Sequence, residues 1–210
     1  MPRDGTATRE RILDQAQRLI VDRGFAATSV DAVLAEAGVT KGAFFHHFPS
    51  KADLARALVD RYAAADVAAL EDIMGRAEAE SDDPARQVVA FVRLFEEDSD
   101  ELASEQPGCL YVSFVYEKQL FEDGTNDVIV DAVVLWRDRL REKLEAACAV
   151  HPPRIDVDLG TLADQVFTVF EGGFILARTM RDPTRLRTQL THLRHYLELL
   201  FGLEPANGRF

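Results

Sequence analysis

Apolar residues recur along this chain at intervals of three and four. Ile12, Ala16, Leu19 and Ile20 share one face of a helix over 8–23, and Gly24 stands where a left-handed glycine ends such a helix. Thr28 and Asp31 read as a capping box for a second helix with Val30, Val33 and Leu34 inward. Gly38 makes a turn, and Thr40 caps a third helix over 41–47. Pro49 stops it, and Ser50 with Asp53 forms another capping box. The fourth helix runs through Leu54, Leu58 and Tyr62 to about Met74, after which Gly75 and 81–84 mark a loop. Residues 87–97 place Val88, Phe91, Val92 and Phe95 on one stripe, whereas 99–108 are polar and broken by Pro107-Gly108. Segment 109–121 is strongly apolar. Val112, Phe114 and Tyr116 alternate there, which also suits a strand; helix is preferred because no second strand candidate exists to pair with it. Residues 126–149 form an amphipathic helix through Val130, Val133, Val134, Trp136, Leu140 and Leu144, stopped by Pro152-Pro153. Helices over 158–181, interrupted only by Gly172-Gly173, and 184–201 follow, separated by Pro183. The pattern predicts an all-α chain of about nine helices with no internal repeat.

Composition narrows the class. At 210 residues and 47% hydrophobic the chain can bury a full core. It has no apolar run near the roughly 20 residues that span a bilayer and no basic-then-apolar opening segment, so a soluble, cytoplasmic protein is expected. Two cysteines, Cys109 and Cys148, fit neither a disulfide framework nor a zinc spacing. The five histidines, His46, His47, His151, His192 and His195, belong to no hydrolase, metalloprotease or phosphate-loop motif. No enzymatic activity, metal or cofactor is expected. The net charge of −12 is unevenly spread: residues 1–56 hold eight Lys/Arg against seven Asp/Glu, and 57–210 hold sixteen against twenty-nine. The N-terminal part escapes the acidity of the rest, and local cations rather than whole-chain charge govern contact with phosphates.

Two short helices around Gly38, with a third helix start close behind, have the shape of a helix-turn-helix, whose second helix enters the DNA major groove. Each part has a mechanical reason. Thr28 adds a hydroxyl to a helix N-terminus that can hold a phosphate. Thr40 and Lys41 stand at the end that reaches base edges, and Lys41 can donate to guanine or to phosphate. Gly42 and Ala43 are small enough for close approach, and Ala43 can touch a thymine methyl. Lys51 is a further phosphate candidate. Plainer readings stand beside these: Thr28 as a simple cap, Lys41 as a solvated lysine, Phe44 and Phe48 as core. Adjacent His46 and His47 diverge by about 100° on a helix, which argues against one shared ion.

The run TRERILDQAQRLIVDRGFAATSVDAVLAEAGVTKGAFFHHFPSKADL, from Thr8 onward, resembles the DNA-binding domain of the TetR family of transcriptional regulators. The likeness lies in the turn Gly24-Phe25 to Thr28-Ser29-Val30, in Ala37-Gly38-Val39-Thr40-Lys41-Gly42, and in His47-Phe48 with Ser50-Lys51 and Leu54. The resemblance implies a three-helix DNA-binding domain (1–50), a helical ligand-binding and dimerising domain (51–203) and a flexible tail (204–210). It implies DNA contacts at Thr28, Thr40, Lys41, Ala43, Phe45, His46, His47 and Lys51. There is one departure: the family usually carries tyrosine where this chain has Phe45, and a phosphate bond from that hydroxyl is lost. His46 stands at a second position where tyrosine is frequent.

Such readers gain affinity by pairing two copies about 34–36 Å, one helical turn, or multiples apart on near-palindromic DNA. The last two helices, 158–181 and 184–201, are expected to make the homodimer, as a four-helix bundle in the resembled family. Leu162, Val166, Val169 and Phe170, with Leu186, Leu190, Leu193, Leu197 and Leu200, serve the dimer, the core, or both. An aromatic middle region suits an apolar effector pocket, with Phe91, Phe95, Tyr111, Phe114, Trp136, Phe170 and Phe174 as candidate lining and plain core as the alternative. The expected function is a repressor released from its operator by a small molecule that moves the linking helix over 50–74. Cys109, after Pro107-Gly108, resembles a sensing cysteine found in a subset of the family. It supplies the alternative of a redox- or electrophile-responsive regulator, set against the reading of a small buried hydrophobe.

Overall fold

The computed structural model describes residues 5–105, 108–117 and 124–204. Among these, nine helices and no strand occur: α1 (Gly5–Arg23), α2 (Val30–Ala37), α3 (Lys41–His47), α4 (Lys51–Glu80), α5 (Pro84–Glu105), α6 (Leu110–Val115), α7 (Thr125–Val150), α8 (Leu159–Met180) and α9 (Thr184–Phe201). Segment 109–121 is therefore helical where it is described; its residues 118–121, Pro107 and the tail from 205 lie outside the described residues.

Several bounds depart from the periodic reading. Gly75 does not end α4, which continues to Glu80. A lone helical glycine costs only about 1 kcal/mol, and buried Ile73, Met74 and Ala77 on either side hold the helix. Helix α5 starts earlier, at Pro84, because proline is well placed at a first helical position and the Asp83 carboxylate accepts from Ala85 N at 2.9 Å. It also runs on through the polar stretch to Glu105, with Ser99 and Ala103 buried inside it. Gly172-Gly173 does not interrupt α8. The Ser50–Asp53 box forms as expected, with Asp53 N donating to Ser50 Oγ at 3.1 Å. The box expected at Thr28 does not form. Ser29 is the cap, accepting from Ala32 N at 3.1 Å, while the Thr28 hydroxyl donates to Gly24 O at 2.8 Å.

The chain divides into two compact units, Met1–Ala65 with Gly108–Asp131, and Asp66–Pro107 with Ala132–Phe210. The first stretch of this division runs to Ala65, and Leu54, Ala55, Leu58 and Val59 of α4 are buried in the unit that holds α1–α3. Its core also takes Ile12, Leu13, Ala16 and Ile20 of α1, Val33 of α2, and Phe44 and Phe48 around α3. Helix α6 belongs to this unit rather than to the second. The core of the second unit gathers Leu70 and Ala77 of α4, Phe91 and Val92 of α5, Leu140 and Leu144 of α7, Leu162 and Val166 of α8, and Leu186, Leu190, Leu193 and Leu197 of α9.

Candidate nucleic-acid interface

The second helix of the motif, α3, is anchored from one side only. Phe44 and Phe48 point into the core with ring centroids 5.8 Å apart, so the opposite face, Thr40, Lys41, Gly42, Phe45 and His46, is exposed. Thr40 Oγ1 accepts from Ala43 N at 3.2 Å, which caps the helix and leaves the hydroxyl proton as a donor. The turn into it rests on Gly38, whose φ of 61° is left-handed, with open space where a side chain would lie. Glycine is needed there for conformation and not for room. Gly42 is the converse: ordinary helical backbone with nothing within 4 Å of where a Cβ would stand. A helical glycine costs roughly 0.5–1 kcal/mol against alanine, and no neighbour in this chain requires it, so its smallness faces outward.

The other expected contacts are placed unequally. Phe45 is 42% exposed, edge-on to Phe44 and within 5.9 Å of Lys41 Nζ. It presents a ring, not a hydroxyl, at the surface. His46 is exposed and His47 half-buried; their rings meet at 5.1 Å, nearer than divergence along the helix suggests, with no cluster of three metal-ligating side chains among the described residues. Ala43 is half-buried. Thr28 is the correction at this surface. It is 2% exposed, with its hydroxyl committed to Gly24 O, so the exposed hydroxyl at the start of α2 is that of Ser29. The spacing of Thr28 and Ser29 in the chain does not separate them; only the position of the helix start does. Lys51 is half-buried and held, its Nζ donating to Phe25 O at 2.6 Å and lying 4.0 Å from the Phe25 ring centroid. Burial pushes its pKa down, against the opposing pull of the Glu117 carboxylate.

The seven aromatic residues expected to line one pocket split between the two units. Phe91, Phe95, Trp136 and Phe170 form a contiguous cluster in the second unit, with ring centroids 4.8–6.2 Å apart for the contacting pairs. Trp136 Nε1 donates to Asp66 at 2.9 Å, and Phe95, Trp136 and Phe170 are only partly buried. Phe174 is buried in the same core. Tyr111 and Phe114 lie in the first unit instead, Tyr111 edge-on to Tyr62 at 4.8 Å and Phe114 against Phe25 at 5.5 Å. The segment is a short helix that buries Leu110, Tyr111 and Phe114, while Tyr116 of the alternating set is exposed. Cys109 precedes α6 as its cap residue, makes no side-chain cap bond, and is 8% exposed with the Tyr62 hydroxyl 3.8 Å from Sγ. That burial suits a small core residue.

On α8 and α9 the residues named for dimerisation also divide. Leu162, Val166, Leu186, Leu190, Leu193, Leu197 and Leu200 are buried within the unit, and Val169 and Phe170 partly so. A different stripe is exposed: Gln165, Thr168, Ile175, Leu176 and Thr179 on α8, and Thr188, His192 and Leu199 on α9. Leu199 is 61% exposed. Gly173 packs inward, where a Cβ would lie 2.5 Å from Leu186 Cδ1, whereas Gly172 has open space beside it.

Comparison with known proteins agrees with this architecture. Residues 12–58 match the family model described as bacterial regulatory proteins, tetR family, and residues 84–193 match the tetracyclin repressor-like C-terminal domain. The chain is 24% identical over 200 residues to the transcriptional regulator AcuR of Cereibacter sphaeroides, covering 92% of this chain and 87% of that protein. It is 29% identical over 181 residues to the HTH-type transcriptional regulator YxaF of Bacillus subtilis, covering 85% and 89%. A TetR transcriptional regulator from Chloroflexus aurantiacus superposes with a TM-score of 0.74 at 29% identity, covering 93% of this chain and 96% of that one. The two family models between them take in the motif and most of the second unit, and this chain belongs to the TetR family of transcriptional regulators, which are DNA-binding proteins and not enzymes.

Proposed function

We propose that this protein is a homodimeric, cytoplasmic repressor that leaves its operator when a small apolar molecule binds in the second unit. The observation that carries the DNA side is the outward face of α3. Its core-facing rings are fixed, and Thr40, Lys41, Gly42, Phe45 and His46 are exposed together on a helix whose glycine no intrachain neighbour requires. Lys41 and Thr40 read base edges or phosphate, Ala43 and Gly42 allow approach, and Ser29, His46, His47 and Lys51 hold the backbone. In this reading Ser29 takes the phosphate role assigned from sequence to Thr28.

The second unit supplies pairing and control. The exposed faces of α8, with Ile175 and Leu176, and of α9, with Leu199, form the seam between two copies and set the spacing of the two reading helices. The ring cluster of Phe91, Phe95, Trp136 and Phe170, partly accessible and joined to the Asp66 carboxylate, supports an effector that is largely apolar with a polar or cationic group. Binding there acts through α4, which contributes residues to both units. A reporter gene placed behind an operator that this protein selects from genomic fragments tests the sign: its expression rises when this protein is removed if it represses, and falls if it activates. Replacing Ile175 and Leu199 by glutamate tests the seam, since sedimentation then shows a monomer and two-half-site DNA is bound no more tightly than a single half-site.

A further inference from the structure

Within the first unit, the turn between α1 and α2 is held by a carboxylate from far along the chain. Glu117, just beyond α6, accepts from Ala26 N through Oε2 at 2.6 Å. Its Oε1 occupies the space beside Gly24, 2.7 Å from where a Cβ would stand, so only glycine admits it without displacement. Gly24 also needs its φ of 84° to start the turn. The Phe25 carbonyl between these two residues accepts from Thr28 N at 3.1 Å and from Lys51 Nζ at 2.6 Å. The ring of Phe25 lies between Lys51 Nζ, 4.0 Å away, and Phe114 of α6, 5.5 Å away. Gly108, just before α6, packs against Val21 at the end of α1. The turn that delivers Ser29 to the start of α2, and the lysine that stands behind it, are thus tied to α6 by one charge-assisted hydrogen bond and one ring contact.

We infer that Glu117 is a positioning residue for DNA binding, holding the α1–α2 turn and Lys51 in the arrangement that fits the operator, so that displacement of α6 lowers operator affinity. This rests on the DNA-binding reading above. Glu117 itself touches no phosphate. Its effect is on the shape of the turn.

The test compares wild type, Glu117→Ala and Glu117→Gln on one duplex, selected from genomic fragments by the wild-type protein. Exchange of the Ala26 amide proton is followed alongside. The expected result is that Glu117→Ala exposes the Ala26 amide to faster exchange and weakens duplex binding by about ten-fold, the scale of one charge-assisted hydrogen bond. The dependence on salt stays unchanged, since no phosphate contact is lost. Glu117→Gln, whose amide oxygen still accepts from Ala26, retains most of both properties. Equal binding by Glu117→Ala and wild type overturns the inference alone, as does tighter binding by both variants, which would make Glu117 an electrostatic brake. A wild-type protein that selects no duplex overturns the DNA reading, and the inference with it.

Discussion

Two residues of the reading helix separate its fold from its task. Gly42 has no neighbour within 4 Å of a Cβ position, so Gly42→Ala is expected to raise thermal stability by roughly 0.5–1 kcal/mol through helix propensity. It is expected at the same time to weaken operator binding several-fold. A melting curve and a binding isotherm on one preparation check this, and parallel gains in both would mean that Gly42 faces no groove. Phe45 makes the complementary point. Its exposed ring offers no donor, and Phe45→Tyr is expected to supply a charge-assisted phosphate hydrogen bond worth about 1.5–3 kcal/mol. Operator affinity should rise by roughly ten-fold or more for each copy bound with the salt slope unchanged; affinity equal to wild type would show that the ring already replaces that contact. At this scale the sequence is legible where chemistry and spacing coincide, as in the cap at Thr40 and the turn at Gly38. It misleads at Thr28, because two adjacent hydroxyl residues both suit a cap, and the fold buries one of them against Gly24 O.

Helices of the second unit test packing by pairs of like residues. A Cβ at Gly173 would meet Leu186 at 2.5 Å on Cδ1 and 3.1 Å on its backbone Cα, so Gly173→Ala is expected to cost about 1–3 kcal/mol by forcing α8 and α9 apart. The neighbouring Gly172→Ala meets nothing in the protomer and is expected to spare its fold while altering self-association. Denaturant melts of the two variants, read with their sedimentation, decide this, and equal destabilisation would contradict the assigned faces. Arg194 joins α5 to its own helix, donating to Glu96 at 2.7 Å and to buried Glu198 at 2.9 Å. Burial pushes Glu96 up, but the bonds from Arg194 and Thr191 prevail and hold its carboxyl below the usual range. A carboxyl depressed in the folded state binds its proton more readily when unfolded. Its stabilisation is therefore present above the ordinary carboxylate pKa of about 4.3 and is lost as pH falls through the lower folded value. Arg194→Met should lower stability at neutral pH by roughly 3–5 kcal/mol, the cost of stranding a buried partner charge, and should flatten the decline on acidification. At α6 alternation also suited a strand, and only the lack of a partner strand favoured helix. Element type was readable from periodicity for nearly every other helix. Lengths were not, since Gly75 and the polar run after Ser99 look like interruptions until buried Ala77 and Ala103 show what holds them helical.

Across the whole chain, two units share α4 and α7, and α6 returns to the first unit. Chain order placed Tyr111 and Phe114 with the other aromatic residues, whereas packing sets them against Tyr62 and Phe25. Distribution of charge gave a truer indication than its total: the net −12 coexists with a near-neutral N-terminal quarter that carries the reading helix. If an effector loosens DNA binding, operator DNA must weaken effector binding by the same factor. Matching titrations, of effector with and without operator and of operator with and without effector, should close that cycle. The most direct measurement of the central claim is a selection of genomic fragments on the purified protein, followed by a salt series on the fragments retained. Enrichment of one near-palindromic site, with affinity falling steeply with salt and with a slope reduced by about two in Lys41→Ala, one phosphate contact for each copy, is the result predicted for a dimeric reader. Retention of no preferred sequence at low salt, or a slope indifferent to Lys41, would contradict it.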